Sequence, residues 1–146
     1  MTDTATLNDL IEVLNDGKLF YKEVSEKVER EDLKKLFSRM ALHKAAIAAD
    51  LQGKVAQQGD SVADGGSFYG AILKAYSELR TTFASHTNYS YIASLEEFED
   101  RILHGFRDAV QKSDDPQVRE IAQRHLAQVT QDHNEMRDLK LARQPD

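Results

Sequence analysis

Residues 7–28 read LNDLIEVLNDGKLFYKEVSEKV, and their apolar positions recur in alternating steps of three and four. This spacing keeps the positions on one side of an α-helix and is typical of a helix that packs in a bundle. Thr6, with Asp9 three residues later, is a candidate N-cap. We therefore predict a first long helix over residues 7–29, with an inner stripe formed by Leu7, Leu10, Leu14, Gly17, Tyr21, Val24 and Val28.

The same spacing recurs further along the chain and predicts long helices over residues 33–57, 90–112 and 116–141. Asp115 and Pro116 suit the capping position and first turn of the last helix. A loop rich in Gly, Ser and Asp precedes a shorter predicted helix over residues 68–84. That shorter helix carries an aromatic-rich stripe, which consists of Tyr69, Ile72, Tyr76, Leu79 and Phe83.

The lengths of the connections suggest how the helices are arranged. A short turn joins the first two long helices, a long connection follows, and a second short turn joins the last two. This pattern is that of a ferritin-like up-down-down-up four-helix bundle, with the helix over residues 68–84 as an extra element in the crossover. The sequence therefore predicts an all-α fold with one domain over residues 1–146.

Composition narrows the possible functions. The chain has 146 residues, no cysteine and a net charge of −6, with basic and acidic residues interleaved. Disulfides and thiol chemistry are therefore excluded, and a nucleic-acid partner is not expected because no basic surface is present. No apolar run reaches the length of a membrane span, and Met1 to Thr6 does not resemble a secretory signal. We expect a cytoplasmic protein with no membrane partner.

Four segments carry a family resemblance: LNDLIEVLNDGKLFYKEVSEKV, LFSRMALHKAAIAADL, SLEEFEDRILHGFRDAV and VREIAQRHLAQVTQDHNEMRDL. Together they resemble a bacterial family of ferritin-like four-helix-bundle proteins of unknown function that are distantly similar to rubrerythrin. The resemblance implies the fold and brings no established activity. Di-iron members of the wider group hold two metal ions with four Glu and two His side chains. The corresponding positions here are Gly17, His43, Ala46, Glu99, Thr130 and His133, so only Glu99 and His133 match that ligand set.

His43 and Glu99 interrupt apolar stripes at similar heights on two helices that the connectivity makes parallel. They can form a buried hydrogen-bonded pair that satisfies both groups. Alternatively, they can join His133 in binding a single iron or zinc ion, with Tyr21 close by on the inner stripe of the first helix. As a core residue, Tyr21 would be expected to find a partner for its hydroxyl. Asp100 and His104 have ligand spacing too, but such a pair is ordinarily a surface contact.

Two functions remain open. One is a non-enzymatic, structural or interaction bundle that self-associates as a homodimer, with no cofactor. The other is a metal-binding bundle with a reduced site and an oxidoreductase or iron-handling role. The small number of mid-bundle carboxylates favours the first, because metal ions in an apolar interior need several negative ligands. The aromatic stripe over residues 69–83 can cover the bundle, form the subunit interface, or do both.

Overall fold

The computed structural model describes residues 3–58 and 87–143. These residues form four long helices and contain no strand, which confirms the all-α prediction. The helix bounds lie within four residues of those predicted. The helices are α1 (Asp3–Lys27), α2 (Glu31–Gln57), α3 (Thr87–Lys112) and α4 (Pro116–Ala142).

The helix ends follow the local sequence in part. The Asp115 side chain accepts a hydrogen bond of 2.8 Å from the Gln117 backbone N–H, and Pro116 occupies the first turn of α4, as predicted. The cap predicted for α1 is wrong: the helix begins at Asp3, so Thr6 lies inside it. Thr6 therefore continues the helix instead of starting it.

The apolar core consists of two clusters, one toward each end of the bundle. Leu14, Ile47, Ile102 and Phe106 belong to the first cluster. The second cluster is rich in aromatic residues and includes Phe20, Phe37 and Phe98; Phe20 and Phe98 meet edge to face with ring centroids 5.3 Å apart. Burial of both clusters is the main force that holds the four helices together.

Two contacts show how α1 lies against α3. A Cβ added at Gly17 would meet the Ile102 side chain at 3.4 Å, and one added at Gly105 would meet Leu10 at 3.0 Å. The residue numbers rise along α1 as they fall along α3, so these helices are antiparallel. The absence of side chains at Gly17 and Gly105 allows the close approach.

Ion pairs show how α2 lies against α4. Arg39 pairs with Glu135 at 2.5 Å, and farther along α2, Asp50 pairs with Arg124 at 3.0 Å. The numbering again runs in opposite directions, so α2 and α4 are antiparallel. Each of these helices also packs against its neighbour in sequence, α2 against α1 and α4 against α3.

The predicted crossover helix over residues 68–84, with its aromatic stripe, lies outside the described residues. Within residues 3–58 and 87–143, none of the helices has an apolar stretch that would cross a membrane.

Candidate functional site

A buried lysine occupies the middle of the bundle, at the level where the two apolar clusters meet. Lys44 of α2 is fully buried, between Met40 in one cluster and Ile47 in the other. Its Nζ lies 2.5 Å from Oε1 and 3.0 Å from Oε2 of Glu99, which belongs to α3. The same Nζ donates a hydrogen bond of 2.9 Å to Oδ2 of Asp132 on α4. One ammonium group therefore joins three helices.

Asp132 extends this cluster toward the surface. Its Oδ1 lies 3.0 Å from the Nδ1 of His43 and accepts a hydrogen bond of 2.9 Å from the Gln128 amide. The His43 side chain is 27% exposed, whereas the side chains of Asp132 and Glu99 are each 1% exposed. The contacts thus run from a partly exposed imidazole through Asp132 and Lys44 to a fully buried glutamate.

The charges in this cluster do not balance unless a proton is added. Lys44 carries one positive charge, and the Asp132 and Glu99 carboxylates carry two negative charges. Burial raises the pKa of Glu99 above its ordinary value, and the neighbouring Asp132 carboxylate adds to this rise, while Lys44 acts in the opposite direction. The Lys44 ammonium group therefore stabilises the charged form of Glu99, while burial makes this carboxylate take up a proton more readily than an ordinary glutamate.

Tyr21 of α1 completes the centre of the bundle. The Lys44 Nζ lies 5.6 Å from the centre of the Tyr21 ring, within the range of a cation–π contact. The buried hydroxyl forms no hydrogen bond of ordinary geometry with the described residues. Burial, followed by the negative charges of Glu99 and Asp132, raises the pKa of Tyr21 well above its ordinary value. Tyr21 is a core residue, as predicted, and its hydroxyl lies close enough to the Glu99 carboxylate for each group to shift the pKa of the other.

The sequence prediction brought His43, Glu99 and His133 together, and the structure separates them. Glu99 is buried, as predicted, but its partner is Lys44. His43 pairs with Asp132, so the predicted direct contact between His43 and Glu99 is replaced by a path through Asp132 and Lys44. His133 faces the α3–α4 surface, where its Nε2 lies 2.5 Å from Oδ1 of Asp100.

Sequence reasoning missed Lys44 and Asp132, which are adjacent to the predicted His43 and His133. A lysine or an aspartate on an interior stripe is a rare choice, and the neighbouring histidines were chemically more plausible. A signal was present on α2, where Phe37 fits an inner stripe of Leu33, Phe37, Met40 and Lys44 at helical spacing. A stripe drawn through Phe37, which is fully buried, would have included Lys44, but the stripe through Leu36 and His43 fits the apolar spacing equally well.

A di-iron centre does not fit the interior residues. Two iron ions need several carboxylates that face them from all four helices. At the predicted ligand positions, Gly17 of α1 carries no ligand atom, and the Glu99 and Asp132 carboxylates are already bound to the Lys44 ammonium group of α2. Asp16, next to Gly17, is a buried carboxylate that makes contacts of its own. The donor set suits a single internal cation, and Lys44 supplies it.

The fold and this site together define an all-α bundle whose centre is an ion cluster of one lysine and two carboxylates. The chain belongs to the family described as Domain of unknown function (DUF2383), whose match covers residues 3–112, more than half of the chain. Glu99 and Lys44 lie within the matched residues, whereas Asp132 lies beyond them. The search of curated proteins finds no match.

Proposed function

We propose that this chain is a ferritin-like bundle that carries out no di-iron chemistry and acts as a structural or interaction protein. The observation behind this proposal is the Lys44 ammonium group, which contacts both Glu99 and Asp132 at 2.5–3.0 Å. In a ferritin-like bundle, carboxylates in the middle of the helices face metal ions. Here two carboxylates face the covalently attached Lys44 ammonium group instead.

The helix pairings support the ferritin-like part of the proposal. With α1 antiparallel to α2 and to α3, and α4 antiparallel to both as well, α2 and α3 run in the same direction. This order is up-down-down-up, with the long connection between α2 and α3. The proposal includes the predicted helix over residues 68–84 in that connection.

Metal binding at the centre would require the ammonium group to leave or to lose its proton. A buried carboxylate pair that already holds a lysine gives up well-formed, charge-assisted hydrogen bonds when that lysine is displaced. An incoming divalent ion and the ammonium group would also repel each other at short range in a medium of low dielectric constant. These costs favour a bundle that keeps Lys44 in place and binds no interior iron.

The burial of the cluster supports a non-enzymatic function. A catalytic group has to reach its substrate, yet Lys44, Glu99 and Asp132 are 0–1% exposed. Three surface grooves among the described residues are lined by other side chains. The cluster is placed to fix the register of α2, α3 and α4, which is the best-attested role of buried polar groups.

Aerobic addition of Fe²⁺ to the purified protein tests this proposal directly. We expect no ultraviolet absorption from oxo-bridged ferric ions and no tight binding of two iron ions per chain. The same assay on Glu99→Gln provides the control. If the wild type bound two iron ions and Glu99→Gln lost them, the interior would be a metal centre and the proposal would be wrong.

The proposal also includes self-association as a homodimer in a reducing compartment such as the cytoplasm. Its support is the sequence of the aromatic stripe over residues 69–83, since such stripes commonly form interfaces. Light scattering at tens of micromolar should give the mass of a dimer, and Tyr76→Glu should reduce it to that of a monomer. Leu42, which is 70% exposed on α2, provides the comparison variant Leu42→Glu. A monomeric wild type, or a dimer lost only in Leu42→Glu, would contradict the predicted interface.

A further inference from the structure

A second set of ligand-type side chains lies on the surface between α3 and α4, away from the interior cluster. Glu96 and Asp100 are one turn apart on α3, and His133 faces them from α4. One ligand atom from each of the three lies within 4.8 Å of the others. The side chains of Glu96 and His133 are each only 15% exposed, whereas that of Asp100 is 54% exposed. Two of the three groups are thus held by packing.

The environment of His133 suits a metal ligand. Its Nδ1 lies 3.2 Å from the side-chain oxygen of Asn134, which can accept the N–H of that nitrogen. Metal-binding histidines are commonly oriented in this way, with one nitrogen donating to an oxygen and the other free for the ion. The second nitrogen, Nε2, lies 2.5 Å from Oδ1 of Asp100. With Nδ1 as the donor to Asn134, two acceptor atoms face each other there, and a proton or a metal ion has to lie between them.

We propose that Glu96, Asp100 and His133 bind one divalent transition-metal ion, and that Zn²⁺ fits this donor set best. Two carboxylates and one imidazole neutralise the ion and are all accepted zinc ligands. Three protein ligands leave one position for water, as in zinc sites that are open to solvent. This site lies outside the bundle interior and does not depend on the function proposed above.

The geometry requires only small side-chain movements. Ligand atoms bound to the same tetrahedral zinc ion are roughly 3.3 Å apart, given zinc–ligand distances of about 2.0–2.2 Å. The contact between His133 and Asp100 would therefore open from 2.5 Å, and the longest ligand separation, at most 4.8 Å, would close. The open position would face a groove of about 640 Å³ that Asp100 and His133 help to line.

The ammonium group of Lys140 competes with the metal for Glu96. The Lys140 Nζ lies 3.6 Å from Oε2 of Glu96, and its side chain is 36% exposed. An exposed ammonium group can swing into solvent at little cost, so it weakens metal binding without preventing it. Removal of this positive charge should strengthen binding, the opposite of what removal of a ligand does.

Calorimetric titration of the full chain with Zn²⁺ tests the proposal, and the visible spectrum of the Co²⁺ form reports the coordination. We expect one saturable site per chain. His133→Ala and the more exposed Asp100→Asn should each weaken binding by about tenfold or more. Lys140→Met should tighten it. Circular dichroism shows whether each variant keeps its helices.

His104 supplies the matched control. It lines the same groove, is 79% exposed, and pairs with Asp108 one turn along α3, but it belongs to no cluster of three ligand atoms among the described residues. His104→Ala should bind Zn²⁺ as the wild type does. Three results would overturn the proposal: no saturable binding, equal affinity in the wild type and folded Asp100→Asn, or a loss in His104→Ala as large as that in His133→Ala.

Discussion

Replacement of Lys44 by methionine should destabilise the protein more than an ordinary core substitution of similar shape. Methionine keeps an unbranched chain of similar length but removes the ammonium group that lies 2.5–3.0 Å from Glu99 and Asp132. Two buried carboxylates then share the interior without their cation. Removal of one partner from a buried ion pair costs about 3–5 kcal/mol. For a chain of this size, that corresponds to a fall in Tm of about 6–20 °C.

The pH dependence separates this explanation from simple loss of packing. Without Lys44, the pKa of Glu99 rises further, because its carboxylate loses the opposite charge and remains next to the Asp132 carboxylate in a medium of low dielectric constant. A carboxyl group whose folded pKa lies above its unfolded value contributes stability below the unfolded pKa and loses that contribution as the pH rises through the folded pKa. The deficit of Lys44→Met relative to the wild type should therefore be larger at pH 8 than at pH 5.

Urea unfolding followed by circular dichroism at pH 5 and pH 8 measures this deficit. Lys35→Met is the matched control, because Lys35 is an exposed lysine on the same helix, and its replacement should change stability by less than about 0.5 kcal/mol. Adding Glu99→Gln to Lys44→Met should recover part of the loss, since one unpaired charge disappears. A deficit below about 1 kcal/mol at pH 8, or one that grows on acidification, would refute the assigned role of Lys44.

Three smaller changes test other parts of the structure by urea unfolding. Tyr21→Phe should change stability by less than about 1 kcal/mol at pH 7, since the hydroxyl makes no well-formed hydrogen bond. Because the folded pKa of Tyr21 is raised, the wild type should lose stability above pH 10 and the variant should lose less; equal losses would contradict this. Asp50→Asn should cost less than about 1 kcal/mol at pH 7 because Asp50 is 37% exposed. Since its bond to His125 lowers the Asp50 pKa, that difference should shrink as the pH falls below 3.8, and a constant difference would be evidence against the pair. Asp115→Ala should cost about 1 kcal/mol through loss of the α4 cap, and no cost would mean that the cap is dispensable.

The helices and two of the four inner stripes could be predicted from the sequence. On α1, every predicted inner position is buried, and on α3 so is Glu99. Each helix also buries residues beside its predicted stripe, such as Phe20 and Phe98. α2 offered two spacings that fit equally well, one through Leu36 and His43 and the other through Phe37 and Lys44. Apolar periodicity cannot decide between stripes one residue apart when both contain a polar member.

The ion cluster could not be predicted because its members stabilise one another only after the helices have assembled. Taken alone, Lys44 and Asp132 are residue types that are expected at the surface. Both can be buried because each forms an ion pair with the other. The interior thus depends on a contact between Lys44 and Asp132, which are 88 positions apart in the chain. No local pattern along the chain contains that information.

Lys44 also bears on how the protein folds. A bundle that relies on a bound ion to neutralise its interior finishes folding only when that ion has been delivered, and it is weakened by chelators or scarcity. Here the positive charge beside Glu99 and Asp132 belongs to Lys44, so it is synthesised as part of the chain and each bundle contains one such group. Burial of the Glu99 and Asp132 carboxylates therefore draws on a cation that α2 itself carries.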